Sequence, residues 1–242
     1  MPYELFYWPG LQGRGEFVRL ALEAAQADYV DVARGDEADG EGIPALMALM
    51  EGPDVARPSF APPFLRDGEV LVGQTANILL YLGTRLGLAP QDEAGRLWTH
   101  QIQLTIADLV SEAHDTHHPI GSGLYYEDQK PEAKKRAKDF RENRMPKYLG
   151  WFEKILARSE SSGSQLVGNA LTYADLSLFQ VVEGLLYAFP KGARAALDRV
   201  PLVESLHEAV AEHPPVARYL ESDRREAFNK SGIFRRYPEL DG

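Results

Sequence analysis

The stretch "PPFLRDGEVLVGQTANILLYL" (62–82) decides the fold, because its hydrophobic period changes halfway along. The first half alternates apolar and polar residues around Asp67-Gly68, a pair typical of the turn of a two-residue β-hairpin. The second half repeats apolar residues at helical spacing from Ile78 onward. The two prolines at the start stiffen the chain and remove backbone donors. The stretch therefore predicts a β-hairpin that is introduced by proline and followed by a helix.

The residues before this stretch predict a β-α-β unit. "YELFYW" (3–8) alternates like a strand, and "PGLQGRG" (9–15) is a glycine-rich turn. From Glu16 onward apolar residues recur at helical spacing, and "DYVDV" (28–32) is a second short strand. A helical crossover joins parallel strands, so we expect these two strands to pair in parallel. A further short helix is predicted over 43–50.

The strand signal ends near residue 84. Helical spacing then extends over 92–118, 131–158, 172–189, 201–213 and 215–222. We therefore predict an α+β two-domain protein. A mixed sheet with helices occupies 1–84, a linker occupies 85–92, and an all-α domain occupies 93–242.

The composition excludes several classes of protein. The chain has 242 residues and no cysteine, which excludes disulfides, thiolate metal sites and a cysteine nucleophile. No apolar run approaches the ~18 residues of a membrane span, and the N-terminus has no signal-peptide pattern. A net charge of −10 argues against nucleic acid and anionic membrane as partners. We expect a cytoplasmic protein.

The charge is unevenly distributed along the chain. Residues 1–83 hold five arginines and thirteen acidic residues, and the first lysine is Lys130. An anion that binds to the N-terminal part must therefore be held by arginine, backbone N–H groups or hydroxyls.

The predicted order of elements is that of a thioredoxin-like domain, and with the all-helical domain the chain resembles the cytosolic glutathione transferases. The resemblance covers nearly the whole chain. It rests on the opening stretch and on "LFYWPGLQGRGEFVRLAL" (5–22), "TIADLVSE" (105–112) and "LVGNALTYADLSL" (166–178). It implies a tyrosine-type enzyme that uses glutathione as co-substrate, needs no metal, acts on a small electrophile and forms a homodimer.

The resemblance implies that Tyr7 and Arg14 are the catalytic residues, with Trp8 beside them at the glutathione site. Tyr7 would donate a hydrogen bond to the glutathione sulfur, and Arg14 would lie near it. A thiol has a pKa of ~8.5, and a donor that favours the thiolate lowers that value. A purely structural role for Tyr7, as a core aromatic, is the alternative. The loop between Tyr7 and Arg14 is one residue longer than in the animal classes of the family. Arg19 is interpreted as a structural salt-bridge residue.

The opening stretch supplies further glutathione contacts under the same resemblance. Pro63 matches a cis-proline of the family, and Pro62 matches the residue that pairs with the cysteinyl backbone. Pro62 has no N–H, so we expect one backbone bond fewer than in relatives. Gln74 and Thr75 match a pair that holds the γ-glutamyl carboxylate at a helix N-terminus, where free N–H groups attract anions.

Three more residues complete the implied binding set. Asp108 matches an acid that reaches the γ-glutamyl ammonium across a dimer interface, although a solvated helix acid is an equal alternative. Arg57 is the best placed cation for the glycyl carboxylate, and Arg34 is the second.

Two local motifs are interpreted as having no catalytic or metal-binding role. "HDTHHP" (114–119) places His114 and His118 at i, i+4, but it lacks the zincin glutamate, so we interpret it as a solvated helix end near the electrophile pocket. Thr172 and Asp175 form a predicted capping box.

Several aromatic residues lie where an apolar substrate could bind. We interpret these as packing residues first and as substrate contacts second: Tyr125, Tyr126, Phe228 and Phe234. The function that the resemblance implies is conjugation of glutathione to an electrophile. A non-catalytic binding protein and a glutathione-dependent isomerase or peroxidase are the alternatives, because one fold supports many functions.

Overall fold

A computed structural model describes residues 1–53 and 55–242. Its four strands form one sheet: β1 (Tyr3–Phe6), β2 (Tyr29–Asp31), β3 (Phe64–Asp67) and β4 (Val70–Gly73). The order across the sheet is β2-β1-β3-β4. β1 is parallel to β2, and the other two pairs are antiparallel. The predicted mixed sheet is therefore confirmed.

Three helices cover the sheet: α1 (Gly15–Ala24), α2 (Gly42–Glu51) and α3 (Thr75–Arg85). Successive strand residues point to opposite faces. Leu5 and Leu65 pack with α1 and α3 on one face. Phe6 and Phe64 stack on the other face, with ring centroids 5.1 Å apart, and pack against α2. The sheet is therefore buried on both faces.

The predicted hairpin is present, but its turn lies one residue later than expected. Asp67 pairs with Val70, so the two loop residues are Gly68 and Glu69 rather than Asp67 and Gly68. Gly68 has φ +57°, a left-handed conformation that glycine adopts without strain. The position of that glycine, first in the loop, sets the register.

The rest of the chain is helical. Its helices are α4 (Glu93–Asp115), α5 (Lys130–Asp139), α6 (Met145–Leu156), α7 (Tyr173–Ala188), α8 (Pro190–Leu197), α9 (Pro201–Glu212), α10 (Pro214–Leu220) and α11 (Pro238–Asp241). Nearly every residue of α7 is buried. The same core cluster contains Phe17 and Leu79 of the sheet-covering helices, so the two halves share one apolar core. Among the described residues, no helix has the length and apolarity needed to cross a membrane.

The helix predicted over 131–158 contains a π-turn that the periodicity did not indicate. A π-helical turn at Phe140–Arg144 joins α5 to α6. Pro146 lies two residues after it and has no N–H to donate to the preceding turn, a situation in which helices adjust locally. The turn directs Arg144 to Glu112 of α4, with Nε 2.9 Å from Oε2. That guanidinium holds the pKa of Glu112 down to about 2.

The predicted capping box at the start of α7 is confirmed. The backbone N–H of Thr172 donates to Oδ2 of Asp175 at 2.7 Å, and the Thr172 hydroxyl also contacts that oxygen. The other carboxylate oxygen accepts the N–H of Leu166 at 2.8 Å, which the motif alone does not indicate. Complete burial raises the pKa of Asp175 to about 6.

The side chain of Phe234, near the end of the chain, fits into a notch on α7. A Cβ placed on Gly184 would lie only 2.3–2.5 Å from the Phe234 ring. Phe234 therefore packs inside the protein because Gly184 on α7 has no side chain and leaves room for the ring.

We expect Gly184→Ala to lower the free energy of unfolding by about 1–3 kcal/mol, because the added methyl overpacks the notch under Phe234. Gly150→Ala is the matched control, since it also lies in a helix and a Cβ there meets nothing within 4 Å. That change should raise stability by about 0.5–1 kcal/mol. Urea denaturation measures the free energy of unfolding of both variants. Equal changes in the two would contradict the close packing of Phe234 against Gly184.

Candidate functional site

Tyr7 lies directly after β1, and its side chain is 6% exposed. Its hydroxyl oxygen accepts a hydrogen bond from the backbone N–H of Arg14 at 2.8 Å. Arg14 is the N-cap residue of α1, so this N–H lies at the positive end of the helix dipole. Burial raises the pKa of Tyr7, and the contact with Arg14 opposes this shift. The phenol therefore stays protonated at neutral pH, and its own O–H remains available to donate.

The loop around the Tyr7 ring requires glycine. A Cβ on Gly13 would lie 2.0 Å from the Tyr7 hydroxyl oxygen, and one on Gly15 would lie 2.4 Å from Cγ of the ring. Gly13 also has φ +45°. The "GRG" sequence therefore allows the backbone of Arg14 to approach the phenol.

The backbone of Arg14 joins two parts of the site. Its N–H contacts Tyr7 after β1, and its carbonyl oxygen accepts the Thr75 hydroxyl at 3.3 Å. The Arg14 side chain is half-buried and makes no ion pair with any described residue. A cation in this state can bind an anionic ligand without first losing a partner.

A small cavity of about 30 Å³ lies between the two halves of the molecule. Its lining includes Arg14, Thr75 and Gln103, the last from α4. Gln103 is 1% exposed, and its Oε1 has no hydrogen-bond partner among the described residues. A buried amide oxygen without a donor is costly, so this cavity has room and a polar contact for a donor group or a water molecule. The sequence did not single out Gln103.

The opening stretch of the sequence forms one edge of the site. The peptide bond between Pro62 and Pro63 is cis, and both side chains are buried. Gln74 has φ +68°, an uncommon conformation for a residue other than glycine, at the start of α3. Within the described chain, the side chain of the N-cap residue Gln74 makes no capping hydrogen bond, and the first N–H groups of a helix have no partner within the helix itself. A non-glycine residue in this conformation often marks a functional position.

The remaining predicted residues make no side-chain contact with Tyr7 among the hydrogen bonds of the described residues. Arg57 and Asp108 are exposed, and Trp8 is half-buried against the core beneath α2. Arg34 donates to the carbonyl oxygen of Arg224 at 2.7 Å. The single chain therefore brings together Tyr7, Arg14 and the α3 start.

A segment near the C-terminus covers the loop that follows β1. Gln12 donates to the carbonyl oxygen of Glu226 at 2.6 Å, and its own amide oxygen accepts from Gln180 of α7. Asn229 donates to the carbonyl oxygen of Gly10 at 2.8 Å. These contacts hold the loop in the conformation that places Arg14 over Tyr7, and no short motif indicated them.

Phe228 and the two tyrosines of the aromatic set also pack within the protein or face solvent. Phe228 stacks on Tyr187 with centroids 4.9 Å apart, and Tyr126 stacks on Tyr237 at 3.8 Å. Tyr125 is 78% exposed.

The interpretation of "HDTHHP" as a solvated helix end is wrong. α4 ends at Asp115, and His117 and His118 are almost completely buried beyond it. Burial lowers the pKa of His117 to about 3. Nε2 of His117 contacts the carbonyl oxygen of Ile233 in the C-terminal segment at 2.7 Å, which sequence spacing cannot show.

The comparisons with known proteins agree on one family. A family model described as "Glutathione S-transferase, C-terminal domain" matches residues 114–223. Glutathione S-transferase of Plasmodium falciparum (isolate 3D7) is 22% identical over 227 residues, which are 92% of this chain and 97% of that protein. Glutathione S-transferase Mu 2 of Rattus norvegicus is 28% identical and covers 93% of each chain. The solved Pi-class glutathione S-transferase of Onchocerca volvulus shares the fold, with a TM-score of 0.68, 21% identity, and coverage of 91% and 93%.

We expect Gly13→Ala to destabilise the protein more than Gly10→Ala does. Both glycines have positive φ, so both changes strain the backbone by about 1–2 kcal/mol. Only Gly13→Ala places a methyl against the Tyr7 hydroxyl, which adds about 1–3 kcal/mol of overpacking. Urea denaturation measures the difference in the free energy of unfolding. Equal losses in the two variants would show that the loop does not pack closely against Tyr7.

Proposed function

The chain belongs to the glutathione S-transferase family, and from this premise we propose that it conjugates the thiol of glutathione to an electrophilic, largely apolar substrate. The observation that carries the proposal is the Tyr7 hydroxyl, which accepts the Arg14 N–H and keeps its own proton free to donate. A buried phenol with this arrangement is suited to stabilise a thiolate.

The proposed reaction begins with ionisation of the thiol. Tyr7 donates its O–H to the sulfur, which lowers the thiol pKa from its ordinary value of ~8.5, while the thiol proton leaves to solvent. The fixed N–H of Arg14 polarises the phenol and holds its position. The thiolate then attacks the electrophilic carbon, a C–S bond forms, and the leaving group departs with the electron pair of its own bond. Binding both reactants in one cleft supplies proximity.

The start of α3 is the proposed binding place for the γ-glutamyl carboxylate. Free N–H groups and the helix dipole attract an anion there, and Gln74 and Thr75 border it. The half-buried Arg14 cation and Oε1 of Gln103, which has no hydrogen-bond partner in the described part of the chain, fit a ligand that carries both carboxylate and ammonium groups. Pro62 offers only its carbonyl to the cysteinyl N–H, Trp8 borders the site, and Arg57 is the proposed contact of the glycyl carboxylate.

Assembly and cellular role extend the same proposal. We propose a cytoplasmic detoxifying homodimer in which Asp108, exposed in the single chain, reaches the glutathione ammonium of the partner site. The domains proposed for this arrangement are 1–84 for glutathione and 93–242 for the electrophile.

Tyr7→Phe should reduce the conjugation rate with a generic aryl halide roughly 10–100-fold, because a hydrogen bond to a charged group is worth about 1.5–3 kcal/mol. The pH at which the rate reaches half its maximum should rise toward the free thiol value of ~8.5. Glutathione binding by calorimetry should change much less than the rate.

Tyr3→Phe is the control for this experiment. Tyr3 lies on β1, the strand that Tyr7 follows, and its hydroxyl makes no hydrogen bond to a described residue, so the rate should be unchanged. An unaltered rate and pH profile in Tyr7→Phe would remove Tyr7 from the mechanism. Glutathione binding without turnover over a broad electrophile panel would instead support a binding protein, and isomerase or peroxidase turnover would support the other alternative.

Pro62→Ala should tighten glutathione binding, because it restores a backbone N–H that can donate to the cysteinyl carbonyl. The expected gain is about 0.5–1.5 kcal/mol, or roughly 2–10-fold in the dissociation constant. Calorimetry measures this change.

Pro58→Ala controls for general loosening of the same loop, since Pro58 is exposed. It should leave the affinity unchanged. Weaker binding in both variants would mean that loop stiffness, rather than the missing N–H, governs the effect of Pro62.

A further inference from the structure

Three of the six histidines in the chain come together just where α4 ends. The ring of His114 lies 4.9 Å from that of His117 and 5.4 Å from that of His118, and the latter two are 4.7 Å apart. One nitrogen of each ring lies within 4.8 Å of the other two. His117 and His118 are 1% and 8% exposed. Three converging imidazoles in a mostly buried position form a possible ligand set.

The hydrogen bonds of His117 define which of its nitrogens is free. Nε2 lies 2.7 Å from the carbonyl oxygen of Ile233, which only accepts, so Nε2 carries the proton. Nδ1 of the neutral ring therefore has a lone pair, and it faces Nδ1 of His118 at 2.5 Å. A backbone carbonyl that holds the second ring N–H is a usual outer partner of a metal-binding histidine.

The two Nδ1 atoms can be joined in two ways. A proton on Nδ1 of His118 gives a hydrogen bond between two neutral rings, which accounts for the 2.5 Å contact and needs no third histidine. A metal ion in place of that proton uses both lone pairs, while His118 keeps its proton on Nε2. Tetrahedral bonds of about 2.0–2.1 Å place two ligand nitrogens about 3.3 Å apart, so binding of the ion requires the two rings to move slightly apart. The convergence of His114 on the pair favours the metal ion, because it supplies a third neutral donor.

The charged groups around the three rings offset one another. Arg14 and Arg235 lie near the cluster, as do the carboxylates of Asp115 and Glu127. Oδ1 of Asp115 lies 3.6 Å from Nδ1 of His114. The two carboxylates reduce the repulsion that the two guanidinium groups would exert on a bound cation.

We propose that His114, His117 and His118 bind one divalent transition metal ion of the zinc class. Imidazole nitrogen suits zinc, copper, nickel and iron, whereas magnesium and calcium prefer oxygen. Three protein ligands leave a fourth tetrahedral position for water. The resemblance to glutathione transferases implies no metal for the transfer reaction, so this site stands in addition to the proposed function and does not depend on it.

The site would connect α4 to the C-terminal segment. His117 holds the carbonyl of Ile233, and Phe234 beside it fills the notch on α7. A metal ion that fixes the His117 ring therefore also fixes this contact. A ligand that binds only the folded state stabilises the folded state, so the bound ion should stabilise the protein.

The test uses the full chain without a histidine affinity tag, first stripped with a chelator. Titration with Co²⁺ should give the visible bands of a tetrahedral complex, and Zn²⁺ should displace it, with one ion bound per chain. Saturating Zn²⁺ should raise Tm. His117→Ala and His118→Ala should each weaken binding at least about tenfold.

The double change His100→Gln and His213→Gln is the matched control, because it removes two histidines and keeps the cluster; binding should be unchanged. The variants of the two buried histidines could fail to fold, so a third variant, His114→Gln, is tested as well. His114 is half-buried, and its replacement should also weaken metal binding at least about tenfold. No saturable Co²⁺ or Zn²⁺ binding by the natural chain overturns the proposal, as does equal affinity in His114→Gln. Either result would leave the hydrogen bond between His117 and His118 as the whole explanation of the cluster.

Discussion

The buried carboxylate of Glu16 is the constraint on which the arrangement of the two halves depends. Glu16 is 0% exposed on α1, and it accepts the hydroxyl of Tyr219 at 2.9 Å and the guanidinium of Arg225 at 3.0 Å, both from the C-terminal part. Arg19 approaches its other oxygen at 3.3 Å. Separation of the two halves would leave the buried carboxylate with Arg19 as its one remaining partner among these three, and removing a partner from a buried ion pair costs about 3–5 kcal/mol. The two halves can therefore pack in only one relative position without that cost.

This constraint reaches the candidate site because α1 begins at Gly15, immediately after Arg14. The same Arg225 that binds Glu16 contacts Gln180, which in turn donates to Gln12 in the loop before Arg14. The helix start, the loop and the C-terminal segment are thus held by one connected polar network. Arg19 also binds Asp31 at 2.6 Å, which is the structural role interpreted from the sequence.

Local patterns predicted much of the fold, and they were wrong where a contact from elsewhere in the chain decides. The sheet, the hairpin and the cap formed by Thr172 follow from periodicity and turn chemistry, which act over a few residues. The π-turn before Pro146 was not predicted, because the helical spacing of apolar residues does not show a local change from α- to π-helix. The burial of His117 did not follow either, since its cover comes from Ile233, more than a hundred residues later.

The sequence by itself determined the order of elements, the glycines around Arg14 and the residue types at the start of α3, because each depends on steric and hydrogen-bonding limits within one turn. Only the tertiary structure decided which of those residues meet. It brought the Arg14 backbone onto the Tyr7 hydroxyl, left the amide oxygen of Gln103 without a partner among the described residues and gathered three histidines beyond the end of α4. The groups that hold these arrangements come from distant parts of the chain, Glu226 and Asn229 at the loop before Arg14 and Ile233 at His117, and no short window of sequence contains both partners.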